Sequence, residues 1–185
     1  SNILMFGLEG TYLSLVFPFL ARVGVLWQTG SINPAYEHFI TNLIRQKLFV
    51  AIDAQPKNLL PGAKKFLLFL PQHEPHEIGL LFANYLIRSR GNHTSYLGPN
   101  LPLDDLAPVM SIYKADYILT VLTTPLTTQS PLVVANKLAG DFPNTSVLMA
   151  GSQIFQANIN LPKNVRLLHT FHDLINLVDQ LKTNN

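Results

Sequence analysis

The 185 residues contain no cysteine. A disulfide, a thiolate metal site and a cysteine nucleophile are therefore excluded, and cysteine usage says nothing of redox compartment. Charge is scarce as well: Asp, Glu, Lys and Arg make up 13% of the chain, and 13 basic against 11 acidic residues leave a net charge of +2. That is no electrostatic footprint for nucleic-acid binding by this segment. Neither GxGxxG nor GxxxxGK[ST] occurs, which disfavours dinucleotides and P-loop nucleotides. The longest apolar stretch, Tyr12 to Trp27, is interrupted by Ser14, Pro18 and Arg22. It falls short of the roughly 20 residues of a membrane span and reads as a buried helix. The start lacks the features of a signal peptide. No membrane partner and a cytoplasmic location are expected. No Ser-His-Asp order or paired-carboxylate site points to an enzyme. What the chain does have is 48% hydrophobic residues, enough for a real core and against disorder. So apolar and lightly charged a chain suggests surface covered by a partner, a ligand or further chain.

Two regimes divide the sequence, with expected domains at 1–52 and 64–182. In the first, Tyr12, Leu13, Val16, Phe17, Leu20, Val23 and Leu26 recur at spacings of three and four, the period of a buried helix face. After the break at Gly30–Pro34, Asn33 suits an N-cap and Pro34 a first helical turn. A second helix is predicted from Pro34 to about Leu48, with Phe39, Leu43, Ile44 and Leu48 inward. Residues 53–63, with Pro56, Pro61 and Gly62, read as a linker. Beyond Lys65 strands and helices alternate. Strands are predicted at Phe66–Leu70, Thr94–Leu97, Tyr117–Leu122, Ser146–Ala150 and Val165–Leu168. Helices are predicted at Ile78–Arg90, Leu103–Tyr113, Ser130–Ala139, Gln153–Ala157 and Phe171–Leu181. This pattern implies an α/β fold: a five-stranded, doubly wound parallel sheet, Rossmann-like or flavodoxin-like, preceded by part of a helical bundle cap.

Ligands on such sheets sit at the carboxyl ends of the strands. There the first strand is followed by Pro71-Gln72-His73-Glu74-Pro75-His76-Glu77-Ile78-Gly79. A loop histidine can point into the crevice and bind a metal, with Glu74 accepting a hydrogen bond from its other ring nitrogen. Acids decorating a helix N-terminus are the plainer alternative. The third strand ends in Thr120-Val121-Leu122-Thr123-Thr124, whose hydroxyls suit a polar ligand tail or ordinary capping. The fourth ends in Met149-Ala150-Gly151-Ser152, small enough for close approach of a flat ligand.

Together these three patterns resemble the cobalamin-binding domain family. Its DxHxxG motif appears as Glu74-Pro75-His76-Glu77-Ile78-Gly79, its SxL motif as Thr120-Val121-Leu122, and its GG pair as Ala150-Gly151. The resemblance implies that His76 is the lower axial cobalt ligand, supported by Glu74, and that Gly79 lets the displaced nucleotide tail pass. Thr120, Leu122, Ala150 and Gly151 would line the slot for that tail, with Thr124 beside them. Trp27 and Glu37-His38 stand as W-x9-E-H, which resembles the helical cap of MerR-family, CarH-type adenosylcobalamin-dependent regulators. By that resemblance Trp27 would fill the space above cobalt beside the adenosyl group, with Glu37 and His38 near that group and near subunit contacts. Two departures stand out. Gln28 occupies the place of a histidine that follows this tryptophan in the light-sensing member. The family's helix-turn-helix domain and two further bundle helices have no counterpart in these residues, so the chain is expected to be the sensory part of a longer protein.

The resemblance implies a cobalamin-binding sensory domain of a transcriptional regulator. It would take adenosylcobalamin between cap and sheet, assemble as a dimer or tetramer and so control DNA binding by the longer protein, with light as a candidate signal. Two alternatives are a corrinoid methyl carrier of a methyltransferase system and a degenerate domain that no longer binds cobalamin. His73, His93, His169 and His172 match no motif and read as surface or structural.

Overall fold

A computed structural model describes residues 2–55, 61–124, 130–155 and 160–183; the side chains of 2–5, 27, 28, 155, 182 and 183 lie outside the described set. Pro56 of the expected linker and Ala157 at the end of a predicted helix also lie outside the described residues. The chain divides into two compact units, Ser1–Val50 and Ala51–Asn185.

The first unit is helical. Helix α1 spans Asn2–Thr11, a π-helical turn follows at Tyr12–Val16, and α2 spans Phe17–Gln28. Pro18 accounts for the π turn: it has no N–H to give Ser14, and its ring would collide with that carbonyl in a regular α-helix. Thr11 and Ser14 add to the local distortion by donating their hydroxyls back to the carbonyls of Gly7 and Gly10. Helix α3 runs over Pro34–Asp53, and Asn33 Oδ1 accepts from Ala35 N at 2.9 Å, a side-chain N-cap as predicted. The Tyr12 hydroxyl donates to Ile44 O at 3.3 Å. Between the π turn and α3, residues Thr11, Leu15, Val16, Phe19, Ile40, Leu43 and Ile44 line an apolar cavity of about 320 Å³.

Several expectations for this unit are corrected. Leu26, Phe39 and Leu43 are 44%, 63% and 43% exposed rather than inward. On α3 the expected Ile44 and Leu48 are covered, and Ile40, four residues before Ile44, joins them in place of Phe39 and Leu43. The first stretch is likewise not a buried helix. Phe6–Leu26, kinked at Gly7 (φ 67°, ψ 175°), is a mostly exposed apolar stretch of 21 residues, long and apolar enough by composition to cross a membrane. One such helix is weak evidence for a span, because a helix covered by other protein passes the same test.

The second unit carries a parallel sheet of β1 (Lys65–Pro71), β2 (His93–Leu101), β3 (Tyr117–Val121), β4 (Ser146–Ala150) and β5 (Val165–Leu167) in the order β2-β1-β3-β4-β5. The α/β fold with a five-stranded, doubly wound parallel sheet is as the alternation predicts. Phe66 to Leu70 are all fully buried, as a central parallel strand covered on both faces must be. The helices are α4 (Ile78–Ser89), α5 (Leu106–Tyr113, preceded by a 3₁₀ turn at Leu103–Asp105), α6 (Pro131–Asp141), α7 (Ser152–Phe155) and α8 (Phe171–Thr183). Leu67, Phe69, Ile118, Val147 and Met149 form a core with Leu106 and Met110 of α5 and Val134, Ala135 and Leu138 of α6. On the other face α4 meets α8, where the rings of Phe82 and Phe171 cross edge to face at 5.0 Å. Burial of this continuous core is the main stabilising term.

Candidate functional site at the carboxyl ends of β1 and β3

The order of the strands reverses at β1, which has β2 on one side and β3 on the other. The crevice of a doubly wound sheet opens at such a switch point. The loops leaving β1 and β3 meet there. Glu74 turns its side chain inward and is 1% exposed. Its carboxylate accepts from Thr123 N at 2.6 Å and Thr124 N at 2.7 Å. The hydroxyls of Thr123 and Thr124 donate to it at 3.0–3.1 Å. His76 N donates at 3.2 Å and His76 Nδ1 at 2.8 Å. A buried anion survives only with such compensation. Burial alone would raise the Glu74 pKa. The hydrogen bonds from the His76 ring and from the Thr124, Thr123 and His76 amides win, and hold it at about 2 against an ordinary 4.5.

This anion dictates the state of the neighbouring imidazole. The His76 side chain is 64% exposed, and Thr124 Oγ1 lies 2.9 Å from its Nδ1. With Nδ1–H donating to Glu74, the lone pair of the neutral ring is on Nε2. A single imidazole backed by a carboxylate is one good axial nitrogen ligand. Among the described residues no group of three or more His, Cys, Asp or Glu could hold a bare metal ion. The donor set present is one imidazole nitrogen, Nε2 of His76, backed by the Glu74 carboxylate.

The other strand-end residues fall into two places. Thr120 and Leu122 are fully buried, and strand alternation puts Thr120 on the face of Ile118 and Leu122, toward α5 and α6. Thr120 Oγ1 is buried without a hydrogen-bond partner. Gly151 adopts φ +109°, and a Cβ there would stand 2.1 Å from Leu122 O. Its missing side chain makes room for the backbone of Leu122, whose N–H donates to Ala150 O at 2.8 Å. The small pair at Ala150-Gly151 thus locks the ends of β3 and β4 together. Gly79 stands at the head of α4 on the opposite face, where a Cβ would lie 3.9 Å from the Phe171 ring. The structure gathers Glu74, His76 and Thr124, and separately Leu122, Ala150 and Gly151; it does not bring Gly79 to Thr120.

In the helical unit, Trp27 falls in the last turn of α2, but its side chain and that of Gln28 lie outside the described residues. Glu37 lies in the first turn of α3. His38 Nδ1 is 3.8 Å from Glu37 Oε2, with side-chain exposures of 75% and 28%. Of the unmatched histidines, His73, His169 and His172 are exposed and His93 lies in β2. Reasoning from the sequence read the Thr123 hydroxyl only as a ligand or capping group and missed that Thr123 holds Glu74. Its signal was the adjacent Thr123-Thr124 pair where β3 runs into the switch-point crevice.

No family model matches the chain. It is 30% identical over 128 residues to the HTH-type transcriptional repressor CarH of Myxococcus xanthus, a match covering 69% of this chain and 38% of that protein. The chain thus spans under two fifths of the length of that relative. The fold matches the monomethylamine corrinoid protein of Methanosarcina barkeri, with a TM-score of 0.62, 13% identity, and coverage of 88% of this chain and 78% of that one. It also matches the methanol:cobalamin methyltransferase complex MtaBC of Methanosarcina barkeri, with a TM-score of 0.52, 14% identity, and coverage of 90% and 64%. The fold defines the class, a Rossmann-like α/β domain with the fold of those corrinoid proteins. Within that class the sequence resembles the CarH type of cobalamin-binding region.

Proposed function

We propose that this chain is a cobalamin-binding sensory region of a transcriptional regulator, acting without catalysis. The observation that carries the reading is the pair of buried, anionic Glu74 and exposed His76, with Glu74 fixed by Thr123 and Thr124. His76 would hold cobalt from below through Nε2, and Glu74 would fix the tautomer that makes this coordination favourable. The buried, unpartnered Thr120 hydroxyl supports a polar ligand tail reaching the β3 end, beside Leu122, Ala150 and Gly151. For Gly79, on the opposite face of the sheet, a part in passing that tail rests on the resemblance alone. For Trp27, Glu37 and His38 the proposal rests on the resemblance alone, as does the division into a cap at 1–52 and a binding domain at 64–182. The bound group would supply a cobalt–carbon bond that light can break.

Adenosylcobalamin is the proposed form, and the proposed output is self-association that changes DNA binding by a longer protein in the cytoplasm. A cofactor can shift that equilibrium only through unequal affinity for the assembled and dissociated states. The likeness in fold to corrinoid proteins supports a methyl-carrier role as the second reading. Titration of the purified chain with adenosylcobalamin in the dark, followed by spectroscopy and by size-exclusion chromatography before and after illumination, tests the proposal. Histidine-coordinated binding lost in His76→Ala, with a light-dependent change of size, is expected. Absence of binding, or binding indifferent to His76→Ala, overturns it. Methyl transfer from methylcobalamin to a partner enzyme would favour the carrier.

A further inference from the structure

The loop that carries His76 is anchored at both ends by one strand. Before His76, the chain turns at His73, which adopts φ 71°. For a residue with a Cβ that left-handed conformation is unfavourable and persists only when its surroundings enforce it. The enforcing contact is on β2: His73 N donates to Asn100 Oδ1 at 3.1 Å. Asn100 is itself left-handed, at φ 60°, and asparagine is a residue type that tolerates that region. Among the described residues the only other non-glycine with positive φ is Lys114, which caps α5. After His76, the next residue, Glu77, is 7% exposed and accepts from the Tyr96 hydroxyl at 2.5 Å. Tyr96 also belongs to β2.

The end of β2 departs from a regular ladder to make these contacts. Its register against β1 shifts between Leu68 and Phe69 and again between Phe69 and Pro71. Gly98, at φ 80°, sits against the Tyr96 ring, where a Cβ would lie 3.6 Å from Cε1. Such irregularities at strand ends re-aim side chains.

We propose that Tyr96 and Asn100 are positioning residues for His76. They hold the chain one residue after it and three residues before it, so that its ring meets Glu74 at hydrogen-bond distance. Neither acts on a metal; each acts through the backbone that presents the imidazole. The role toward cobalt rests on the reading of His76 as its axial ligand, whereas the role toward the Glu74–His76 bond stands without it.

The test uses the chain with ¹⁵N-labelled histidine and two readouts. Long-range ¹H–¹⁵N spectra of the corrinoid-free protein report the His76 tautomer. The absorption spectrum during titration with aquocobalamin reports imidazole against water coordination. The wild-type chain is expected to show mainly the Nδ1–H form. Asn100→Ala and Tyr96→Phe should each shift His76 toward mixed tautomers and weaken aquocobalamin binding by about tenfold or more, as loss of a ligand-orienting contact does. Asn100→Asp, which keeps the acceptor oxygen, should restore both readouts. If Asn100→Ala does not fold, Asn100→Gly preserves the turn while deleting the acceptor. An unchanged tautomer in the folded variants overturns the proposal. A tautomer that shifts while even the wild-type chain binds no aquocobalamin upholds the positioning role and overturns the reading of His76 as a cobalt ligand.

Discussion

Replacing Glu74 by glutamine tests whether the buried carboxylate organises the site. The wild-type group titrates at about 2 rather than 4.5. At about 1.4 kcal/mol per unit, that shift corresponds to about 3 kcal/mol of folding stability at neutral pH. Glutamine is nearly the same size but carries one acceptor oxygen and one NH₂. Thr123 N and Thr124 N both donate to Oε2, while His76 N and Nδ1–H donate to Oε1, so a glutamine that keeps its oxygen for the threonine amides turns its NH₂ toward the His76 donors. Glu74→Gln should therefore lose about 3 kcal/mol in urea unfolding at pH 7. The sign with pH follows from a depressed folded-state value. The contribution is complete above 4.5 and disappears as pH falls from there to about 2, so the two proteins should converge in acid. Urea midpoints at pH 7, 5 and 3 measure this. A variant within about 0.5 kcal/mol of wild type at pH 7, the ordinary effect of a surface substitution, refutes the reasoning. So does a gap that stays constant into acid.

Gly151→Ala should fail to fold or lose about 3 kcal/mol or more in thermal unfolding, since its Cβ would meet Leu122 O at 2.1 Å with φ at +109°. Thr120→Val removes a buried hydroxyl that has no partner. The corrinoid-free protein should be as stable or up to about 1 kcal/mol more so in urea, while corrinoid affinity measured by absorbance titration falls; unchanged affinity would remove Thr120 from the slot. His76→Ala should alter stability by only about 1 kcal/mol, because the ring is 64% exposed, yet abolish histidine coordination in the absorption spectrum. A large loss of stability would instead make His76 a structural residue.

The sheet was legible because a fully buried strand has a composition of its own. Phe66 to Leu70 is an unbroken apolar run, and in the structure every one of those residues is covered. Boundaries were less legible where neighbours decide them. Helix α3 continues to Asp53 rather than stopping near Leu48, for no proline or glycine intervenes before Pro56. β2 extends from His93 to Leu101, beyond its apolar stretch, because its last residues serve the loop after β1. In the helical unit, periodicity shows that a face is apolar but not what covers it. Phe39 and Leu43 keep the spacing of a core stripe and are nonetheless exposed. At the site, Glu74 and His76 were readable from their position after a strand. Their holders were not, since Thr123 and Asn100 lie 49 and 27 residues from the groups they bond, and only the topology brings them together.

The departure at residue 74 bears directly on whether the site is intact or decayed. The motif that the chain resembles has aspartate where Glu74 stands, and the exchange alone reads as erosion. The geometry gives it a different meaning. A glutamate reaches about 1.5 Å further than an aspartate, the length of one carbon–carbon bond. Here that reach lets one carboxylate bridge two loops: it takes His76 Nδ1 at 2.8 Å from its own loop and the amides of Thr123 and Thr124 at 2.6 and 2.7 Å from the loop after β3. A shorter acid would have to give up part of one set. The anion, 1% exposed, keeps its full set of donors, as it must, because a buried carboxylate that loses its partners is among the costliest groups a fold can carry. The substitution at 74 and the threonine pair at 123 and 124 are therefore two halves of one arrangement. Together they fix the imidazole with Nδ1–H toward Glu74 and the Nε2 lone pair free of that bond, the tautomer that a metal ligand requires.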